Sequence, residues 1–122
     1  MSVLHQFSAI HFLAIGLGAA LGAWARWVLG LLLNPLHAGI PFGTLAANLV
    51  GGYLIGLAVG YFHFNPHIPL AWKLFAITGF LGGLTTFSTF SAEVIERLLA
   101  GQLPVALALA GLHLAGSLTA TW

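Results

Sequence analysis

One short segment holds most of the groups that could bind an ion: GFLGGLTTFSTFSAE, residues 79–93. It combines three glycines, five hydroxyl residues and three phenylalanines. Glycines followed by Thr85 and Thr86 favour an interrupted helix, and backbone carbonyls freed there are hard oxygen ligands for a small cation. Phe87 and Phe90 share a helix face, where their positive ring edges could hold a partly dehydrated anion. The alternative is that both rings only pack against neighbours.

The composition places these groups in a membrane. The 122 residues are 60% hydrophobic and 4% charged, whereas about a quarter of the residues in a soluble domain are charged. There is no cysteine, so disulfides and thiolate metal sites are excluded. The formal net charge is +1 without a cluster of Lys and Arg, so nucleic acid is not a predicted partner. The predicted surroundings are lipid.

Long uncharged intervals and turn signals predict four membrane spans, at approximately residues 8–33, 43–62, 70–99 and 104–122. A continuous third helix would be about 45 Å long, well beyond the roughly 30 Å hydrocarbon core of a bilayer. Together with the glycines, this length predicts a broken third helix. The predicted fold class is all-α integral membrane, with residues 1–122 forming a single transmembrane domain.

The few cations give no preferred orientation. Arg26 and Arg97 fall toward the side of the first and third loops, whereas Lys73 and the terminal amine fall toward the opposite side. Because cytoplasmic loops normally carry the excess of Lys and Arg, this balance predicts insertion in both orientations and pairing of two opposed copies. The alternative is that one weak bias still sets a single orientation.

Small residues share a helix face with a polar side chain in the second span. Asn48, Gly52, Gly56 and Gly60 recur at every fourth position, which places them on one face of a helix. Membrane helices associate through such small residues. Asn48 is therefore predicted to face a protein neighbour rather than lipid.

Polar residues of the first and fourth spans each have two interpretations. Arg26 continues a glycine stripe that includes Gly22; its guanidinium either extends to the membrane interface or attracts anions in a vestibule. His113, Ser117 and Thr121 recur at every fourth position of the fourth span. Their side chains either bond the backbone of their own helix or line a wetted track.

Three segments carry a resemblance to a known family. GLGAALGAWARW (residues 16–27), GTLAANLVGGYLIG (residues 43–56) and GFLGGLTTFSTFSAE (residues 79–93) resemble the signatures of the CrcB/Fluc fluoride channel family. The resemblance covers nearly the whole chain. It implies a fluoride-selective passive channel in the bacterial inner membrane, built as an antiparallel dual-topology homodimer. It further implies two pores per dimer and a buried structural Na⁺ at the dimer centre.

The resemblance also implies roles for individual residues. Backbone carbonyls of Gly82 and Thr85 would bind the Na⁺. The fluoride pathway would involve Phe87 and Phe90 as an aromatic box formed by both subunits, Asn48 and Thr44 as hydrogen-bonding groups, Arg26 near the vestibule, Glu93 at the end of the third motif, and Ser117 and Thr121 as a polar track. His113 belongs to the same pathway, although many relatives are expected to have a small hydroxyl or amide residue there, and to have a longer fourth helix.

Other classes of protein fit the residues less well. An enzyme is not predicted, because neither a nucleophile motif nor a buried acid–base pair is visible. A proton-coupled exporter of small cations needs a carboxylate well inside the membrane, and the first two spans contain no Asp or Glu. A non-transporting assembly subunit would need only the glycine stripes, not the polar TTFSTF segment.

The balance of cations predicts that a tag at the C-terminus is found on both membrane faces in similar amounts. Lysines added near Pro35 should impose one orientation and weaken transport. The measurement is labelling of the tag by a membrane-impermeant reagent in intact and in permeabilised spheroplasts. Labelling of one face only in the unmodified protein would contradict dual topology.

Overall fold

The computed structural model describes residues 8–37 and 39–122, which form an all-helical structure. The elements are α1 (Ala9–Leu33), a 3₁₀ turn (Asn34–Leu36), α2 (Phe42–Phe64), α3 (Leu70–Lys73), a π-helical segment (Leu74–Leu81), α4 (Gly82–Leu84), α5 (Phe87–Leu99) and α6 (Leu103–Thr121). Four helical stretches are long and apolar enough to cross a membrane: Ala9–Leu36, Phe42–Phe64, Leu70–Leu99 and Leu103–Thr121. The predicted all-α class and the four spans are confirmed.

Local sequence explains where the last two helices meet. Gly101 has a φ of 76°, the left-handed conformation that glycine adopts without steric cost. The Gly101 N–H donates to Leu98 and the Gln102 N–H donates to Arg97, at 3.0 and 2.8 Å. These two bonds form a Schellman motif, which satisfies the last carbonyls of α5. The chain then turns directly into α6.

Two extended residues separate α4 from α5. Thr85 has φ −85° and ψ 155°, and Thr86 has φ −153° and ψ 120°. The Thr86 hydroxyl accepts a hydrogen bond from the backbone N–H of Thr89 at 3.2 Å, so Thr86 is the N-cap of α5. The preceding residues, Leu74–Leu81, are π-helical. Such wide turns within helices often occur at functional sites.

Glycines bring α1 against the third span. A Cβ atom built on Gly79 would lie 2.7 Å from the carbonyl oxygen of Ile15, and one on Gly83 would lie 2.5 Å from that of Ala19. On α1, Gly18 and Gly22 meet the backbone of Phe75 and Phe80 in the same way. The two backbones therefore touch, the kind of packing through which helices associate in lipid.

The predicted glycine stripe of the second span is in contact over part of its length. A Cβ on Gly52 would lie 3.0 Å from the carbonyl oxygen of Ser117, and one on Gly56 would meet the carbonyl oxygen of Thr121. A Cβ on Gly60 would have no atom of the described residues within 4 Å. Gly52 and Gly56 thus pack α2 against α6, whereas Gly60 lies beyond this contact.

Most large apolar side chains lie on the outside of the chain. Buried hydrophobic residues are few: Leu45, Ala47, Leu81, Leu84, Phe90, Ala106 and Leu109. By contrast, Phe12, Leu31, Tyr61 and Leu118 are all more than half exposed. A soluble monomer rarely exposes so much apolar surface, and this surface suits a lipid environment.

Backbone contact at Gly79 predicts that Gly79→Ala destabilises the protein, by about 1–3 kcal/mol, because the added methyl forces α1 and the third span apart. Gly60→Ala is the matched control: its methyl enters open space, and replacing a helical glycine gains about 0.5–1 kcal/mol. The measurement is the thermal midpoint of each detergent-purified variant by fluorescence-detected gel filtration. Equal midpoints for the two variants would contradict the packing argument.

Candidate functional site

A groove of about 490 Å³ lies where α2, α6 and the two halves of the third span meet. Both halves of the third span contribute to its lining. The extended residues between them, Thr85 and Thr86, form part of its wall. Most of its lining is apolar, and a few polar groups are placed within it. The lining residues are Asn48, Gly51, Gly52, Ile55, Ile77, Leu81, Gly82, Thr85, Thr86, Phe87, Phe90, His113, Leu114, Ser117 and Leu118.

Asn48 holds the interruption of the third span. Its Oδ1 accepts from the Thr86 N–H at 2.8 Å, and its Nδ2 donates to the Thr86 carbonyl at 3.1 Å. One side-chain amide therefore replaces the backbone partners that Thr86 would have in an unbroken helix. Asn48 faces a protein neighbour, as its glycine stripe predicted.

The second hydrogen of the Asn48 amide meets His113. Asn48 Nδ2 and His113 Nδ1 lie 2.9 Å apart, and because an amide nitrogen only donates, Nδ1 is the acceptor. A neutral His113 then carries its proton on Nε2. This atom is buried, and it has no hydrogen-bond partner within residues 8–37 and 39–122. The His113 side chain, 3% exposed, thus offers one unused N–H donor.

Phe90 and Phe87 differ sharply in exposure. Phe90 is 7% exposed and stacks on the His113 ring, with centroids 4.5 Å apart and an interplanar angle of 31°. Phe87 is 72% exposed, and its ring meets that of Phe90 at 5.5 Å and 61°, an edge-to-face arrangement. Both rings line the groove. Their ring edges, together with the His113 N–H, are groups that attract an anion.

Thr44 and Glu93 lie near the beginning of α2, outside the groove lining. The Thr44 hydroxyl donates to Glu93 Oε2 at 2.8 Å, and Thr44 is 5% exposed. The other carboxylate oxygen, Oε1, is buried without a hydrogen-bond partner among the described residues. Glu93 also lines a smaller cavity of about 160 Å³, the mouth cavity. The mouth cavity is lined by Asn34, His37, Gly39, Pro41, Glu93, Glu96 and Arg97.

Arg26 contacts backbone rather than either cavity. Its Nε donates to the Gly83 carbonyl at 3.1 Å, so the guanidinium lies against α4, just before the extended residues. A cation at the C-terminal end of a helix interacts favourably with its last carbonyls. This bond joins α1 to the third span. It differs from both interpretations of Arg26, a guanidinium that extends to the membrane interface and one that attracts anions in a vestibule.

Gly82 and Thr85, the residues expected to bind Na⁺, both line the groove. The Thr85 hydroxyl donates to the Leu81 carbonyl at 2.8 Å, and its oxygen keeps lone pairs that are available beside the backbone carbonyls. A Cβ on Gly82 would have only the Ile77 carbonyl oxygen nearby, at 3.7 Å, so the space beside it is open. Neutral hard oxygens in an open position suit a hard cation rather than the soft metals that thiolates bind.

The three polar residues of the fourth span, His113, Ser117 and Thr121, do not all follow the same interpretation. His113 and Ser117 line the groove. The Thr121 hydroxyl instead donates to the carbonyls of Gly52 and Ser117, both at 2.9 Å. Thr121 therefore ties α6 to α2 through backbone.

Sequence reasoning missed two groups that organise this region. The backbone of Thr86 is the partner of Asn48, and its hydroxyl caps α5; a Thr three residues before Thr89 in TTFST is the sequence signal of such a cap. Asn34 accepts hydrogen bonds from the first residues of α2. In the sequence, Asn34 before Pro35 indicates only a turn.

Comparison with known proteins identifies a family for the whole chain. The family described as CrcB-like protein, Camphor Resistance (CrcB), matches residues 13–122. The fluoride-specific ion channel FluC of Dechloromonas aromatica (strain RCB) is 74% identical over 100% of this chain and 90% of its own length. Channels of the same name from Nitrosospira multiformis and Ralstonia pickettii are 62% and 58% identical, over 88% and 93% of this chain and 84% and 90% of their own lengths.

These relatives are named as ion channels. The family is one of channels and not of enzymes, in agreement with the sequence analysis. Its members match this chain across all four helical stretches that could cross a membrane. The chain is therefore a multi-pass membrane protein of the CrcB/Fluc family, as its three motifs predicted.

Proposed function

We propose that this chain forms a fluoride-selective passive channel that exports cytoplasmic fluoride and so prevents its toxicity. The observation that carries the proposal is the convergence of Phe87, Phe90 and His113 on one groove beside the Asn48–Thr86 pair. The names of relatives that are 58–74% identical support the same ion. Their bacterial sources favour the inner membrane as the location.

A small anion held against the mostly apolar lining of this groove exchanges part of its water for protein groups. The unused His113 Nε2–H donor and the edges of Phe87 and Phe90 supply positive charge in its place. Asn48 donates to the same ion, by exchanging its bond to His113 Nδ1 or to the Thr86 carbonyl for one to fluoride. A charged acceptor makes this exchange favourable, because hydrogen bonds to ions are about twice as strong as neutral ones.

The rest of the pathway leads the ion to and from the groove. Ser117 lines the groove and extends the pathway along α6 toward Thr121, whose own hydroxyl bonds backbone carbonyls. Thr44, which bonds Glu93 of α5, lies one helical turn before Asn48 on α2. Arg26 supplies positive charge beside the Gly83 carbonyl. Conduction needs no coupled ion. Fluoride enters as the neutral weak acid, ionises in a cytoplasm that is less acidic than the exterior, and leaves down its own electrochemical gradient.

Two antiparallel copies of the chain complete the channel in this proposal. The groove is open on one side, and Phe87, one of its lining residues, is mostly exposed, so the second copy would cover it. Each dimer then holds two pores, with aromatic rings from both subunits. Where the two broken third helices cross, the carbonyls of Gly82 and Thr85 from both copies would hold a structural Na⁺. When bound, the ion supplies positive charge that offsets converging carbonyl dipoles.

The deciding experiment replaces the two aromatic rings of the groove. Phe87→Ile and Phe90→Ile keep apolar bulk but remove the positive ring edges, so fluoride efflux from liposomes should fall severely while dimers still assemble. A fluoride electrode measures the efflux, and gel filtration with light scattering measures the dimer. Absence of fluoride efflux for the unmodified protein would defeat the proposed function. Folded dimers with wild-type efflux in both variants would defeat the role of the rings.

Asn48 gives a second test. Asn48→Ala leaves the N–H and the C=O of Thr86 unpaired, at a cost of about 1–3 kcal/mol for each buried group. Both the thermal midpoint in detergent and the fluoride efflux should therefore fall. Asn65→Ala is the control, because Asn65 makes one exposed bond to the Tyr61 carbonyl at the end of α2. A midpoint for Asn48→Ala equal to that of Asn65→Ala would contradict the assigned role.

A further inference from the structure

The start of α2 takes its hydrogen-bond acceptor from another part of the chain. The first N–H groups of a helix have no partner within it, and the residue before a helix normally supplies a side-chain oxygen. That residue here is Pro41, which has no such oxygen and makes no side-chain cap. Another acceptor is therefore required at this end of the second span.

Asn34, in the 3₁₀ turn after α1, supplies it. Its Oδ1 accepts from the Gly43 N–H at 2.7 Å and from the Thr44 N–H at 3.3 Å. The approach is close: a Cβ on Gly43 would lie 2.5 Å from the Leu29 carbonyl and 2.7 Å from Asn34 Oδ1. The end of α1 thus fixes the first turn of α2 both in its position along the helix axis and in its rotation about that axis.

The residue held in this way is one of the pathway candidates. Thr44, whose N–H bonds Asn34, donates its hydroxyl to Glu93 Oε2 at 2.8 Å. Asn34 and Glu93 also line the same mouth cavity of about 160 Å³. Three residues from α2, α5 and the first loop are therefore joined in one chain of hydrogen bonds, Asn34 to Thr44 to Glu93.

We propose that Asn34 is a positioning residue for conduction: by capping α2 it aims the Thr44 hydroxyl at Glu93 at the mouth of the pathway. Asn34 acts through Thr44 and need not touch the permeating ion. This inference rests on the proposed function and adds to it a residue outside the three sequence motifs.

Three variants separate positioning from general stability. Asn34→Ala removes the acceptor, so the Thr44 hydroxyl is no longer held against Glu93 and fluoride efflux from liposomes should fall about tenfold. Asn34→Asp keeps an oxygen at the same reach and should restore most of the efflux. Asn65→Ala is the control: the Asn65 side chain bonds the Tyr61 carbonyl at the other end of α2 and lines neither cavity, so its efflux should match that of the unmodified protein.

A double-mutant cycle and hydrogen exchange test whether Asn34 acts through Thr44. In the Thr44→Ala background, Asn34→Ala should lower efflux no further, because coupled residues are not additive. Deuterium exchange of residues 42–45 should be faster in Asn34→Ala and unchanged in Asn34→Asp. Should Asn34→Ala fail to assemble, Asn34→Gln replaces it: the longer side chain displaces the acceptor and should lower efflux relative to Asn34→Asp.

Several outcomes would overturn the inference. They are wild-type efflux in Asn34→Ala, equal efflux in Asn34→Asp and the variant that lacks or displaces the acceptor, additive effects of Asn34→Ala and Thr44→Ala, or an equal loss in Asn65→Ala. If residues 42–45 of Asn34→Ala exchange faster while efflux stays normal, Asn34 caps α2 but has no role in conduction. Absence of efflux in the unmodified protein is a different result, because it defeats the proposed function itself whatever the exchange shows.

Discussion

The fold depends on satisfying the backbone of Thr86 at membrane depth. In hydrocarbon an unpaired N–H or C=O costs several kcal/mol, and no water is present to replace a lost partner. Asn48 pairs with both groups of Thr86, at 2.8 and 3.1 Å. The extended residues between α4 and α5 are tolerated for this reason. The same amide orients His113, so one interaction supports the interruption and arranges the polar groups of the groove.

On its other side, the third span is held by close backbone packing against α1. Gly79 and Gly83 let α1 approach so near that a single methyl group would clash with the carbonyl oxygens of Ile15 and Ala19. Arg26 then reaches the Gly83 carbonyl, at the end of the helix that stops before Thr85. The interruption is therefore held by a neutral amide on one side and by a guanidinium on the other.

A single chain leaves the groove open. Its His113 donor is buried, with the residue 3% exposed, whereas Phe87 is 72% exposed at its edge. An aromatic ring placed between buried donors and open space is well suited to contact a further surface of matching apolar character. This asymmetry is the physical support for the proposal that a second, opposed copy completes the pore, and the balanced cations of the sequence favour the same arrangement.

The long uncharged intervals and the turn signals of the sequence determined the membrane environment, the all-α class and the four spans, because hydropathy is a sum over about 20 residues that no single contact can reverse. The three motifs determined the family. Only the tertiary structure decided the partners of the polar groups: Asn48 with Thr86, Arg26 with Gly83, and Thr121 with Gly52 lie 38, 57 and 69 residues apart. It also decided that Gly56 of the predicted stripe touches α6 and that Gly60 does not. Periodicity identifies a helix face but not where along it a neighbour lies, because that depends on how the helices cross.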